Sequence, residues 1–170
     1  MHTLFETPRL AVRLIEHTDA GFILRLFNSP NWLHFLGDRN IRSLEDAANY
    51  VKNVYLKGYA ENGFGAWMVT LKESGEPVGL CGLFKRPYLA LPDLGYSLLP
   101  EFEGKGYASE AASGVLSYVS AELKRTELLA IVSEQNIRST SLLEKVGFVF
   151  TEKIQPPDEN RTLLLYHVTL

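Results

Sequence analysis

The residues best spaced for chemistry lie in Leu98-Leu99-Pro100-Glu101-Phe102-Glu103-Gly104-Lys105-Gly106-Tyr107-Ala108, where a strand pattern gives way to a long helical one. The first turn of a helix carries N–H groups without intrahelical acceptors and about half a positive charge, so it attracts anions. Glycine at positions 104 and 106 removes the Cβ atoms that would hold a diphosphate away from the backbone. A Walker loop needs Ser or Thr directly after its Gly-Lys, and here Gly106 is followed by Tyr107. A dinucleotide fingerprint needs a third glycine where Ser109 stands, and its tight turn is spoiled by Pro100 and the residues after it. Glycines that merely serve helix packing are the other reading of this segment.

The remaining reactive side chains are scattered. Cys81 lies in an alternating apolar run, reads as a small core residue, and as the lone cysteine cannot form an internal disulfide. His2, His17, His34 and His167 share no ligand spacing, so no metal is expected.

The elements that must position these residues follow from periodicity. Arg9 to Arg13 alternates as a first strand. Thr18 or Asp19 can cap a helix with the apolar face Phe22, Ile23, Leu26 and Phe27, stopped at Asn28-Ser29-Pro30. Ser43 to Asp46 has capping-box spacing and opens a second helix to about Tyr55. Ala66–Leu71 and Val78–Phe84 flank the turn Glu73–Pro77 as an antiparallel hairpin. Asp93–Leu99 is a strand. Behind the glycine segment, Ala108, Ala111, Ala112, Val115, Leu116, Val119 and Leu123 follow helical spacing. Leu128–Val132 reads as a strand and Ser139–Val146 as a helix ending at Gly147. Phe148–Ile154 and Thr162–Leu170 are a closing pair of strands. The expected fold is α+β, with a single mixed, mostly antiparallel sheet of six to seven strands flanked by about four helices.

Composition bounds the rest. The 170 residues, 46% of them apolar, suit one domain spanning 1–170, and a chain of this length needs no disulfide or metal staple. With 17 basic and 20 acidic side chains the net charge is −3, which argues against nucleic acid as a partner. No apolar run approaches the roughly 18 residues of a membrane span, and the opening Met1-to-Arg9 segment lacks the order of a signal peptide. A cytoplasmic protein, monomer or homodimer, is expected.

Taken together, four segments resemble the GNAT superfamily of N-acetyltransferases, more narrowly its ribosomal-protein N-terminal acetyltransferase (RimJ/RimL-like) branch. Thr7-Pro8-Arg9-Leu10-Ala11-Val12-Arg13 is similar to that branch's opening strand, and Gly75–Gly82 to its central hairpin. Asp93–Phe102 running into Gly104–Ala111 is similar to its cofactor segment, and Asn136–Ser139 with Leu142–Phe148 to its second signature. Glu101 stands where much of the superfamily has Gln or Arg. The resemblance implies acetyl-coenzyme A as cosubstrate and direct attack by a primary amine in a ternary complex. The acceptor would be a protein N-terminal α-amine or a small amine. It also implies pantetheine pairing near Leu98 and Leu99 and pyrophosphate on the backbone N–H groups of Glu103, Gly104, Lys105, Gly106, Tyr107 and Ala108. Asn136 and Ser139 would then lie beside the pantetheine arm.

Amide formation needs a neutral amine. A lysine amine is neutral in only about one molecule in 2,500 at pH 7, an α-amine in about a tenth, so the latter needs less help from a base. By the resemblance, Asp93 occupies the strand position where many relatives carry a Glu base, though it could simply belong to the loop Ala90-Leu91-Pro92. The tyrosine many members use as an acid is replaced by Leu143. In the ribosomal branch a serine takes that role, which maps to Ser139; that residue could equally open a helix as its N-cap. The Leu99 N–H is a candidate to polarise the thioester. Trp32, Phe35, Tyr50 and Tyr55 either line the acceptor mouth or fill core, and Glu152–Arg161 is a polar loop that could frame it. The absent tyrosine leaves a non-catalytic acyl-coenzyme A-binding regulatory domain as the alternative.

Overall fold

Eight strands pair into one sheet: β1 (Thr3–Glu6), β2 (Leu10–Arg13), β3 (Ala66–Leu71), β4 (Pro77–Phe84), β5 (Asp93–Leu98), β6 (Glu127–Ser133), β7 (Val149–Ile154) and β8 (Leu163–Thr169). Their spatial order is β1-β2-β3-β4-β5-β6-β8-β7 in the computed structural model, which describes residues 2–170. Every neighbouring pair is antiparallel except β5–β6. The helices are α1 (Ala20–Phe27), α2 (Pro30–Phe35), α3 (Leu44–Tyr50), α4 (Lys57–Asn62), α5 (Tyr107–Ala121) and α6 (Ile137–Lys145). The α+β layout is as expected, with one strand more than the sequence pattern suggested.

The differences have local causes. β1 is four residues long, too short to declare a period by itself, and exists by pairing with β2 (Phe5 opposite Val12). Pro30 does more than stop α1. It opens α2, because at the first helical turn its missing N–H costs nothing. The second helix passes Tyr55: a π-helical stretch, Val51–Leu56, carries α3 into α4, and the chain leaves at Gly63 with φ of 73°. Its start is the expected capping box. The Asp46 N–H donates to Ser43 Oγ and the Ser43 N–H to an Asp46 carboxylate oxygen, each at 3.0 Å.

Strand register assigns the two faces of the sheet, since directly paired residues point the same way. Trp67, Cys81 and Tyr96 are successive partners, and Trp67 meets Tyr118 of α5 edge-on at 5.5 Å, so α5 covers this face. Arg13, Met68, Leu80 and Ser97 are partners on the other. There the Arg13 guanidinium grips the Asp19 carboxylate through two hydrogen bonds of 2.8 Å, both groups buried, and anchors the entry to α1. The α1–α4 insertion therefore lies opposite α5. Among the described residues no helix is long and apolar enough to cross a membrane.

Candidate active site

β5 and β6 touch at one point. Asp93 pairs with Leu129, whose N–H donates to the Pro92 carbonyl at 3.0 Å, and beyond this the parallel strands part. β6 continues alone, paired on its far side to β8 as far as Ser133. Antiparallel pairing turns alternate residues toward each neighbour. The Leu99 N–H is given to Val78 at 2.9 Å and the Pro92 carbonyl faces β6, so the N–H and C=O groups of Tyr96 and Leu98 turn to the gap. Such an open edge accepts an extended, strand-like ligand. The gap is a cleft of about 580 Å³, within the usual range for small-molecule sites.

At one end of the cleft stands the start of α5. Gly104 and Gly106 both take left-handed backbone, φ 75° and 82°, and Gly106 is the residue that caps the helix. A Cβ on Gly106 would come within 3.2 Å of an Arg9 guanidinium nitrogen. Four elements hold this loop. Arg9 of the β1–β2 connection donates to the Lys105 carbonyl (2.9 Å) and to Glu110 (2.6 Å). Arg25 of α1 pairs with Glu101. Asn31 of α2 donates to Glu103 at 2.6 Å, and Arg138 of α6 pairs with the other Glu103 oxygen at 3.3 Å. The orphan N–H groups of the first turn are thereby presented rigidly.

At the other end is Asp93, only 1% exposed. Its two carboxylate oxygens accept from Arg86 Nε at 3.0 and 3.1 Å. Burial pushes its carboxyl up to about 6, with Arg86 opposing that rise. Asp93 shares the insertion face with Phe84, its direct partner, whereas Tyr96 points to the α5 face. There the Tyr96 and Ser139 hydroxyls share a hydrogen bond of 2.5 Å, and burial pushes the phenol up to about 12. A carboxylate thus lies on one side of the cleft and a hydroxyl pair on the other.

Most of the residues singled out from the sequence gather here, and several change role. Leu98, Gly104, Gly106, Tyr107, Ala108, Asn136 and Ser139 line the cleft with Asp93. Leu99 does not: its N–H is spent on Val78 and its side chain is buried, so it is no carbonyl polariser. The Glu103 N–H donates to Pro100 at 3.2 Å, so Glu103 offers a bridging carboxylate instead of a phosphate-binding amide. The exposed Lys105 stands outside the lining, its Nζ 5.6 Å from the Phe102 ring. Ser139 is not a helix cap, because Asn136 Oδ1 takes that place and accepts the Ser139 N–H at 3.2 Å. Of the four insertion aromatics, Trp32 and Phe35 line the cleft, while Tyr55 is buried core and Tyr50 packs against it. Cys81 is core, 1% exposed, and burial holds its thiol well above the usual range. Among the described residues no group of three or more His, Cys, Asp or Glu side chains could hold a metal ion.

Two contributors were not found from the sequence. Arg86 sits seven residues from Asp93 across a loop, a spacing with no periodic meaning. Tyr96 carried a signal, in that its neighbour is Gly95: a Cβ there would strike the Phe84 ring at 2.5 Å, so Gly95 keeps this part of β5 thin beside the cleft.

Comparison with known proteins agrees with this geometry. The sequence profile of the family described as "Acetyltransferase (GNAT) domain" matches residues 9–149. The uncharacterized N-acetyltransferase YoaA of Bacillus subtilis (strain 168) is 30% identical over 151 residues, 87% of this chain and 84% of its own length. An acetyltransferase crystal structure from Agrobacterium tumefaciens str. C58 is 26% identical, with a TM-score of 0.80 over 98% of this chain and 94% of that one. The ribosomal L7/L12 alpha-N-protein acetyltransferase RimL, in complex with coenzyme A, shares the fold at 15% identity, with a TM-score of 0.84 over 99% and 98% of the two chains. With the family profile spanning the split sheet and the glycine-capped helix, this chain belongs to the GNAT acetyltransferases.

Proposed function

We propose that this N-acetyltransferase moves the acetyl group of acetyl-coenzyme A to a primary amine by direct attack within a ternary complex, as members of the RimJ/RimL-like branch would. The observation that carries this is the gap between β5 and β6, which opens at a buried carboxylate and runs to a glycine-capped helix start. The pantetheine arm lies along the turned-out backbone of Tyr96 and Leu98. The diphosphate rests on amides from Gly104 to Ala108, with Asn136 and Ser139 beside the arm.

The amine nitrogen attacks the thioester carbonyl carbon from the insertion side. Asp93, largely ionised at pH 7 with its carboxyl near 6, accepts the proton that the amine sheds as the C–N bond forms. The turned-out N–H of Tyr96 or Leu98 faces the developing oxyanion. When the C–S bond breaks, the hydroxyl pair of Ser139 and Tyr96 stands on the α5 side to protonate the leaving thiolate. Leu143, where many members have a tyrosine, is buried core, and Tyr96 brings a phenol from another element. The missing tyrosine therefore gives the non-catalytic reading no support.

The test is thiol release from acetyl-coenzyme A against peptides of differing first residue and small amines, with thermal stabilisation by coenzyme A measured in parallel. Amine-dependent release is expected. Protein that neither gains stability with coenzyme A nor releases thiol would refute the proposal.

A further inference from the structure

The acceptor side of the cleft is rich in guanidinium groups although the chain as a whole is acidic. Arg39, from the segment after α2, Arg86, from the β4–β5 loop, and Arg161, from the β7–β8 loop, all line it. They are brought together by contacts, not by sequence. Arg161 donates to the Phe35 carbonyl at the end of α2 at 3.1 Å, and the Arg86 guanidinium lies 5.4 Å from the centre of the Phe84 ring. Their counter-charges are fewer. Among the described residues the ion pairs of this region are Arg42–Asp38, Arg86–Asp93 and Arg161–Glu159, which leaves the exposed Arg39 without a carboxylate. The same wall holds the Trp32 indole N–H, buried and without an acceptor.

Three guanidiniums thus stand against Asp93 and Glu159 before any acceptor arrives. Since an amine reaches the site as a cation, an acceptor bearing further positive charge is repelled, and one bearing a nearby negative group restores the balance. Resting on the acetyl-transfer reading, we infer that the acceptor carries a carboxylate close to its reacting amine. Asp93 meets the amine while Arg39 and Arg161 hold the carboxylate, Arg39 as the free guanidinium and Arg161 as one already fixed to Phe35. Two sources share this chemistry: a free α-amino acid, or a peptide N-terminus followed closely by Asp or Glu.

The experiment is thiol release with matched acceptors: a free amino acid against its amide, peptide amides that carry Glu, Gln or Lys in second place, and a polyamine. We expect kcat/KM for the acidic member to exceed that of its neutral partner by about fivefold, the upper range for an exposed ion pair. The preference should shrink at about 0.5 M salt, where screening is strong, and invert in Arg39→Glu/Arg161→Glu. Preference confined to the free amino acid identifies the small-molecule source, and preference confined to the Glu peptide identifies the peptide source. Equal or faster turnover of the amide, Gln, Lys or polyamine acceptors overturns the inference and leaves acetyl transfer standing. No release with any acceptor overturns both. Selectivity and its salt dependence are read on the unaltered protein, so an unstable variant does not block the test.

Discussion

Replacing Asp93 by Asn gives the most quantitative check of the site. The carboxylate is 1% exposed, and its carboxyl is raised from an ordinary value of 3.8 to about 6 by burial, which outweighs the Arg86 ion pair. The sign follows from linkage. A carboxyl that holds its proton more tightly in the folded than in the unfolded chain makes folding less favourable as it ionises. Stability is therefore lost as pH rises through the window from about 4 to about 6. At 1.36 kcal/mol per pH unit that interval amounts to about 3 kcal/mol. Asn cannot titrate. Stranding Arg86 adds an offset to the variant, but the offset is the same at every pH in this window and leaves the slope untouched. Urea unfolding at steps from pH 3 to pH 7 should show the wild type losing about 3 kcal/mol relative to Asp93→Asn, with matching denaturant slopes. In parallel, wild-type kcat/KM should show an inflection near pH 6, on top of the rise that continues as the amine itself loses its proton. The variant should lose that inflection together with roughly 10²- to 10⁴-fold of rate. Parallel stability curves, or an inflection that survives the substitution, would show that this carboxyl neither bears the burial cost nor takes the proton.

Four further substitutions probe other parts of the structure. Gly106→Val forces a branched side chain into φ of 82° with its Cβ 3.2 Å from Arg9. It should cost about 1–2 kcal/mol of stability, read as a fall of several degrees in Tm, yet abolish coenzyme A binding in calorimetry; unchanged affinity would remove this loop from the diphosphate site. Ser139→Ala should lower kcat by about tenfold or more while changing coenzyme A affinity little, and Tyr96→Phe should show the same pattern more weakly. The reverse split between kcat and affinity would make the pair a binding feature only. Asp19→Ala strands the buried Arg13 guanidinium and should cost about 3–5 kcal/mol, seen as a Tm lower by roughly 10 °C; a fall of a degree or two would mean that the pair does not anchor α1.

Alternation along β5 sends Asp93 to the insertion face and Tyr96 to the α5 face, so the buried carboxylate and the hydroxyl pair stand on opposite sides of one strand. The glycine-capped end of α5 is held by α1, α2, α6 and the β1–β2 connection at once, which keeps its amides fixed before any ligand binds.

Local physics was readable from the residues alone. Alternation announced β2, strand-like runs either side of a turn announced β3 and β4, helical spacing announced α5, and Ser43 with Asp46 announced the capping box. Two glycines before a helix marked a helix start with left-handed backbone, because their backbone freedom is a property of the residue itself. What depends on distant partners was not readable. The parting of β5 from β6 after a single bridge is a matter of pairing, and no residue type encodes where a parallel pair ends. The pairing of β5 with β4 decided that Tyr96 and Leu98 face the gap while the Leu99 amide is spent on Val78. The raised carboxyl of Asp93 required burial strong enough to outweigh the neighbouring Arg86, and the hydroxyl pair joined residues 43 apart in the chain. Three arginines from three loops became one surface only when α2 reached the β7–β8 loop. Spacing along a chain fixes which way a side chain points from its own element; which groups then share low-dielectric space, and so alter one another's charge, is set by the packing of elements far apart in sequence.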